Sequence, residues 1–455
     1  MKFSLVKKIV ACGIFILVLG FTVFSIWGPD GDKTAFSADD SSYRNLKQFN
    51  QILNLVEEYY VEEVDSKKLI EGAINGMIKT LDPHSIYMTP EMYKDLQVST
   101  KGVFGGLGIE ITTVDDVITV VAPLEDTPAY RAGIKPGDQI VKIDGQTTKG
   151  ITIYDAVQKL RGKAGSKVIV SVMRKDLDKP RDIEIVRDNI KIKSVKYRVY
   201  DESIGYIRLS SFQESTENEL EKALKEINGK DHPLQGIVLD LRNNPGGLLD
   251  QAVSVSDKFL ESGVIVSSRG RSADTEKIFS AHDDGNEPTC PIVVLINSGT
   301  ASASEIVSGA LHDNGKAVLL GTRSFGKGSV QIVKPLGDGA ALKLTVAKYY
   351  TPSGKSIQAK GIEPDIVVEY VNNTPKSKDA IKNVREKDLK GHIEGEGETI
   401  QEDVTPPPES PTEQIEAPAE SASQTEMDDR LKKDNQLKSA IDLLKSWEIF
   451  KKMRG

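Results

Sequence analysis

The sequence is poor in the residues that build disulfide, redox and metal chemistry. Its two cysteines, Cys12 and Cys290, fall in an apolar run and just before an apolar strand pattern, which excludes an internal disulfide framework. The five histidines, His84, His232, His282, His312 and His392, form no Cys/His cluster, so no metal site is expected. Formal net charge is −8 and no basic cluster follows Lys8, which speaks against a nucleic-acid partner. A phosphate-binding loop is missing too. Gly321-Thr-Arg-Ser-Phe-Gly326-Lys327 matches most of G-x-x-x-x-G-K-[ST], but Gly328 stands where a magnesium-binding hydroxyl belongs, and Ser329-Val-Gln-Ile-Val reads as a strand instead of the required helix. No cofactor is therefore expected.

Long apolar runs are equally scarce. The run Ile9–Trp27 carries no charge, is about long enough to cross a bilayer and follows Lys2, Lys7 and Lys8, so it reads as an uncleaved anchor oriented N-in, C-out. This predicts a single-pass cell-membrane protein whose folded part is extracytoplasmic. A cleaved signal peptide, giving a secreted protein, is the competing reading; the small residues of Ala35-Phe-Ser-Ala38 lie well past the apolar segment, which favours the anchor. The apolar run follows Cys12 instead of preceding it, which argues against lipidation there. An apolar content of 38% in 455 residues suffices for two or three packed domains.

Two glycine-rich turns carry the chemistry. Pro291-Ile-Val-Val-Leu-Ile-Asn-Ser-Gly-Thr-Ala-Ser302 reads as a buried strand and tight turn, followed by a helix with Ile306, Val307, Ala310 and Leu311 on one face. Ser302 would sit at that helix N-terminus, where free N–H groups and the helix dipole stabilise a developing oxyanion. Lys327, flanked by Gly326 and Gly328, is a candidate for a desolvated amine that acts as base when neutral. Taken singly, Ser302 is equally a helix cap and Lys327 a solvated turn residue. A serine–histidine pair is disfavoured, because His312 lies on the same helix about three turns from Ser302.

Asp240-Leu-Arg-Asn-Asn-Pro-Gly-Gly247, Ser302-Ala-Ser-Glu305-Ile and Phe325-Gly-Lys327-Gly-Ser-Val-Gln331 resemble, in order and spacing, the three signature blocks of the carboxyl-terminal processing (tail-specific) proteases. The resemblance extends from about Tyr43 to Tyr370. It implies that Ser302 is the nucleophile, Lys327 the general base and Gln331 the residue that orients the lysine. It also suggests Asp313 as a support and self-association, as a homodimer, through the N-terminal helices. In an extended segment the even spacing would put Lys327 and Gln331 on one face. The backbone N–H groups of Ala303 and Gly247 are assigned to the oxyanion hole.

Upstream, Gly102-Val-Phe-Gly-Gly106-Leu107-Gly108-Ile109, Arg131-Ala-Gly-Ile-Lys-Pro-Gly-Asp138, a helix over Tyr154–Leu160 and a strand over Lys167–Met173 have the size and order of a PDZ module. Gly106, Leu107, Gly108 and Ile109 resemble its carboxylate-binding loop, in which freed N–H groups cradle a peptide C-terminus and the next strand pairs with the peptide. Arg161, at the end of the groove helix, is either a sensor that reaches an acid or carbonyl of the core when peptide binds, or a cap of its own helix.

The expected fold is a multidomain α/β chain: a PDZ-like β-sandwich module plus an α/β serine-protease core, with helical segments at both ends. Residues 1–38 are read as anchor and short linker, 39–95 as a helical region, 96–190 as the PDZ domain and 191–370 as the protease core. Residues 371–430, which include Pro406-Pro-Pro-Glu-Ser-Pro411, read as a disordered linker, and 431–455 as a terminal helix whose docking site is open. The function expected is a serine endopeptidase acting on proteins with accessible C-termini. A catalytically silent, membrane-anchored PDZ scaffold is the rival.

Overall fold

The computed structural model describes residues 40–371, 384–395 and 433–454, apart from 115, 125, 175, 176, 202 and 229–233. The apolar run Ile9–Trp27 lies outside these residues; among the described ones no helix is long and apolar enough to cross a membrane. The chain divides into two compact units, Met1–Ile74 and Asn75–Gly455. In the first, the expected helical spacing gives a helix over Asp40–Tyr59 and the start of one over Ser66–Lys79.

The second unit contains the PDZ module and the protease core. The module is a sheet in which Ile109–Val114, Val117–Pro123, Gln139–Ile143, Lys167–Met173 and Arg181–Val186 lie side by side, with the helix Ile153–Leu160 across it. Its core is a cluster of aliphatic residues that includes Leu107, Ile118, Val120, Ile140, Val168 and Val170. Among the described residues the strand Ile109–Val114 pairs only with Val117–Pro123, which leaves its other edge open toward the groove helix. That helix starts from a capping box in which Thr152 and Asp155 satisfy each other's backbone N–H groups. Strands Val103–Gly106 and Asp188–Lys191 pair antiparallel and carry the chain into and out of the module.

In the protease core, six strands run in the order Val195–Tyr200, Ile204–Leu209, Gly236–Asp240, Ile292–Ile296, Ala317–Gly321, Ile366–Val367. Gly236–Asp240 and Ile292–Ile296 are buried at every position, as near-continuous aliphatic runs covered on both faces should be. The helices Thr216–Ile227, Leu249–Asp257 and Ala303–Asp313 cover one face. The terminal helix Asn435–Arg454 covers the other through Leu437, Ala440, Ile441 and Leu444, which settles its docking site. Strand Ala341–Tyr350 centres a second sheet with Ile86–Met88, Val264–Gly270 and Ser329–Pro335.

One buried ion cluster locks the terminal helix to the main sheet. Arg242, fully buried, donates to Asp240 at 2.6 and 2.9 Å and to Asp434 at 2.8 and 2.9 Å. Although burial opposes ionisation of Asp240, the Arg242 and Arg208 guanidinium groups hold its carboxyl well below the usual range. A further departure concerns the tract 371–430: within it, residues 384–395 pack on the core and Glu386 is fully buried.

Candidate active site

Ser302 stands where the strand Ile292–Ile296 ends and the helix Ala303–Asp313 begins, with φ +57° and ψ −115°. For a side chain other than glycine this backbone costs about 1–3 kcal/mol, and such strain persists where surrounding contacts enforce it. The enforcing contacts come from the neighbouring Gly246–Gly247 turn. A Cβ on Gly246 would lie 2.9 Å from Ser302 Cβ and 3.0 Å from Ala303 N; one on Gly247 would lie 2.2 Å from Phe212 O. Only glycine allows this approach, which brings the Gly247 and Ala303 backbones to the same end of the helix. Among the described residues neither of their N–H groups has an acceptor, as oxyanion donors require.

Glu305 organises the site, and the sequence reading gave it no role. Its fully buried carboxylate accepts four donors: Ser302 N and Lys327 N on Oε2, at 2.8 and 2.9 Å, and Gly326 N and Ser324 Oγ on Oε1, at 2.8 and 2.5 Å. Because one oxygen serves both, the Ser302 and Lys327 nitrogens are no farther apart than those two bonds allow. Burial pushes the Glu305 carboxyl up to about 7, against the pull of its four hydrogen bonds. The Ser302-x-x-Glu305 spacing of a capping box carried the local signal; the reach to Lys327 is tertiary.

Lys327 lies in the loop before the strand Ser329–Pro335, so a strand does follow the glycine–lysine turn, and no phosphate-binding helix. Burial brings its ammonium down to about 8 and the Lys343 ammonium pushes the same way; Glu386, Glu305 and Asp82 oppose. An amine with this property is neutral in substantial part near physiological pH and can take a proton from a hydroxyl. Among the described residues its Nζ forms no hydrogen bond or ion pair.

Among the described residues Gln331 makes no hydrogen bond to Lys327. Gln331 keeps the alternation of its strand and shares a face with Ser329, the residue skipped in the register being Val346 of the partner strand; Lys327 lies before the strand, in the loop, where the even count does not apply. Gln331 Nε2 donates instead to Ser329 Oγ at 2.8 Å and, more weakly, to Thr345 Oγ1 at 3.4 Å. Thr345 in turn donates to Asp82, whose carboxylate also takes Ser85 Oγ and the N–H groups of His84 and Ser85.

Residues 203–368 match the model of peptidase family S41, residues 119–174 that of a PDZ domain, and residues 29–92 that of the N-terminal domain of the activating protease CtpB. A carboxy-terminal-processing protease of Bartonella bacilliformis is 52% identical over 363 residues, 79% of this chain and 83% of that one. The carboxy-terminal processing protease CtpA of Bacillus subtilis is 37% identical over 366 residues, 80% and 76% of the two chains. A solved photosystem II D1 C-terminal processing protease aligns at 31% identity over 70% of this chain and 92% of that one, with a TM-score of 0.42. The chain belongs to the carboxy-terminal-processing protease family.

The remaining expected residues of this protease fall in two places. Gly106, Leu107, Gly108 and Ile109 line a groove of about 190 Å³ with Phe104, Val157 and Arg161. Gly108, at φ +74°, presses on Thr127, where a Cβ would come within 2.3 Å. Arg161 caps its helix through its backbone N–H, which donates to Val157 O at 2.9 Å, but its side chain does not turn back to the helix-end carbonyls. Its guanidinium lies 3.3 Å from Asp95 Oδ1 and 4.9 Å from the centre of the Phe104 ring. Arg187 takes the helix-end carbonyls of Lys159 and Leu160 instead. Asp313 sits at the opposite end of the helix from Ser302, accepting from Ser353 N and Oγ, so it supports the fold and not the reacting atoms.

Proposed function

We propose that this PDZ-bearing S41 peptidase hydrolyses peptide bonds through Ser302 as nucleophile and Lys327 as general base. The observation that carries the reading is the shared Glu305 oxygen, which couples the backbones of the two residues. Lys327, neutral, takes the Ser302 Oγ proton as Oγ attacks the scissile carbonyl; the oxyanion forms against the Gly247 and Ala303 N–H groups, and the amine returns the proton to the departing nitrogen. Water repeats the sequence to release the acyl group. In this reading Gln331 acts by bracing Ser329 and Thr345 around the lysine.

The open edge of Ile109–Val114 beside the Gly106–Ile109 loop supports capture of a polypeptide C-terminus as an added strand, with cleavage upstream. The expected substrates are extracytoplasmic proteins with accessible C-termini, and the expected setting is the outer face of a membrane, held by Ile9–Trp27. Self-association through the N-terminal helices belongs to the same reading. Incubation with unfolded casein tests it: wild type degrades casein, and Ser302→Ala, folded by circular dichroism, does not. Equal degradation by both would refute the assignment, whereas peptide binding without cleavage by wild type would favour a scaffold.

A further inference from the structure

Residues 384–395 lie beyond the stretch matched by the peptidase family model, yet they return to the loop that carries Lys327. Glu386 N donates to Phe325 O at 3.2 Å. The Glu386 carboxylate, fully buried, takes Gln358 Nε2 at 3.0 Å, and Gln358 Oε1 accepts Gly328 N at 3.0 Å. Both shoulders of the loop, Phe325 and Gly328, are thus tied to one residue. On its other side the carboxylate meets His84 Nε2, 2.8 Å from each oxygen. His84 belongs to the same turn as Asp82, which accepts from Thr345 and through it is linked to Gln331. A fully buried carboxylate is expensive unless satisfied, and here two side chains from distant parts of the chain satisfy it next to the lysine.

We propose that Glu386 is a positioning residue for Lys327: it holds both shoulders of the lysine loop and places a buried negative charge within electrostatic reach of the amine. The proposal rests on the reading of Lys327 as the general base. The charged groups that act on Lys327 are Glu305 from the Ser302 helix, Asp82 from the turn before Ile86–Met88, Lys343 from the strand Ala341–Tyr350 and Glu386 itself; His84 faces Glu386. Of these, Glu386 comes from a segment with no part in the main sheet, so its charge can be removed with the sheet left intact. Without it the lysine cation loses a stabilising partner and gives up its proton at lower pH, while the loop loses its ties. The two consequences separate: the first moves the pH profile, the second lowers kcat.

The test uses the full chain in mild detergent and a quenched-fluorescence peptide with a free apolar C-terminus, assayed from pH 6 to pH 10 for wild type, Lys327→Ala, Glu386→Gln and Glu386→Asp. Activity in Lys327→Ala would overturn the base assignment and the proposal with it. With Lys327→Ala inactive, the expected result is that Glu386→Gln moves the acidic limb of kcat down by at least about half a pH unit and lowers the plateau, with KM within about twofold of wild type. Glu386→Asp keeps the charge and the limb. An acidic limb left in place by Glu386→Gln overturns the proposal while the dyad stands. Should Glu386→Gln melt below the assay temperature, Gln358→Met, which cuts the tie to Gly328 and keeps the charge, decides. A lower kcat with the limb unmoved supports the proposal, and an unchanged kcat overturns it.

Discussion

The backbone N–H groups of Ser302 and Lys327 end on the same oxygen, Glu305 Oε2. Ser302 and Lys327 come from turns on two different sheets, and a buried carboxylate on the first turn of the Ser302 helix ties the two turns together. All four bonds to Glu305 are donated to it, so the position demands a group that only accepts. A glutamine would present its own NH2 to at least one of those donors.

Glu305→Gln is therefore expected to lower kcat by about a hundredfold or more and to destabilise the fold by roughly 2–4 kcal/mol, the scale of one or two buried donors left without acceptors. Steady-state kinetics and urea unfolding of the full chain measure both. A variant with wild-type kcat would show that the carboxylate does not hold the pair.

Activity should rise with pH between about 7 and 9, since Lys327, held down to about 8 by burial, acts only when deprotonated. Lys343 adds to that depression, so Lys343→Met removes a repelling cation, stabilises the protonated lysine and moves the acidic limb to higher pH. This is the opposite sign from Glu386→Gln. A limb that moves the same way in both variants would contradict the electrostatic picture.

The parts of this molecule that sequence reveals are those specified locally. The aliphatic runs of Gly236–Asp240 and Ile292–Ile296 could only be covered strands, and the glycines at 246, 247, 106 and 108 mark close backbone approaches that other residues would obstruct. What stayed hidden depends on distant partners. Glu386 sits in a polar tract with nothing to distinguish it, because the groups that make its burial tolerable, His84 and Gln358, lie far away in the chain. Gln331 was aligned with Lys327 by an even count, but the strand begins only at Ser329 and Lys327 lies in the loop before it, where the count does not apply. Asp434 seals Arg242 from 192 positions away.

Asp434→Ala leaves the Arg242 guanidinium buried with part of its neutralising charge gone. We expect a loss of about 3–5 kcal/mol in unfolding free energy, the cost of breaking a buried pair, and lower kcat because Arg242 leads into the Gly246–Gly247 turn. Urea unfolding followed by tryptophan fluorescence, which reports Trp447 on the terminal helix, checks the first part. A change below about 1 kcal/mol would mean that the helix docks by its apolar face alone.

Arg161 joins the peptide groove to Asp95 on the helix Pro90–Lys101, so groove occupancy and the position of that helix should be linked. A free peptide with an apolar C-terminus is expected to stimulate cleavage of a separate internal reporter, and Arg161→Ala to abolish the stimulation. Equal rates with and without the peptide would leave the module a passive tether.

The most direct test of the Ser302–Lys327 account is the mass of the intact chain after mixing with an activated peptide ester at pH 8. Acyl transfer to Ser302 should add the mass of the acyl group on the tryptic peptide that contains Ser302. The adduct should be absent in Ser302→Ala and should not accumulate in Lys327→Ala or in Lys327→Arg, whose guanidinium stays protonated and cannot act as base. An adduct on another residue, or one that forms equally fast in Lys327→Arg, would contradict the account.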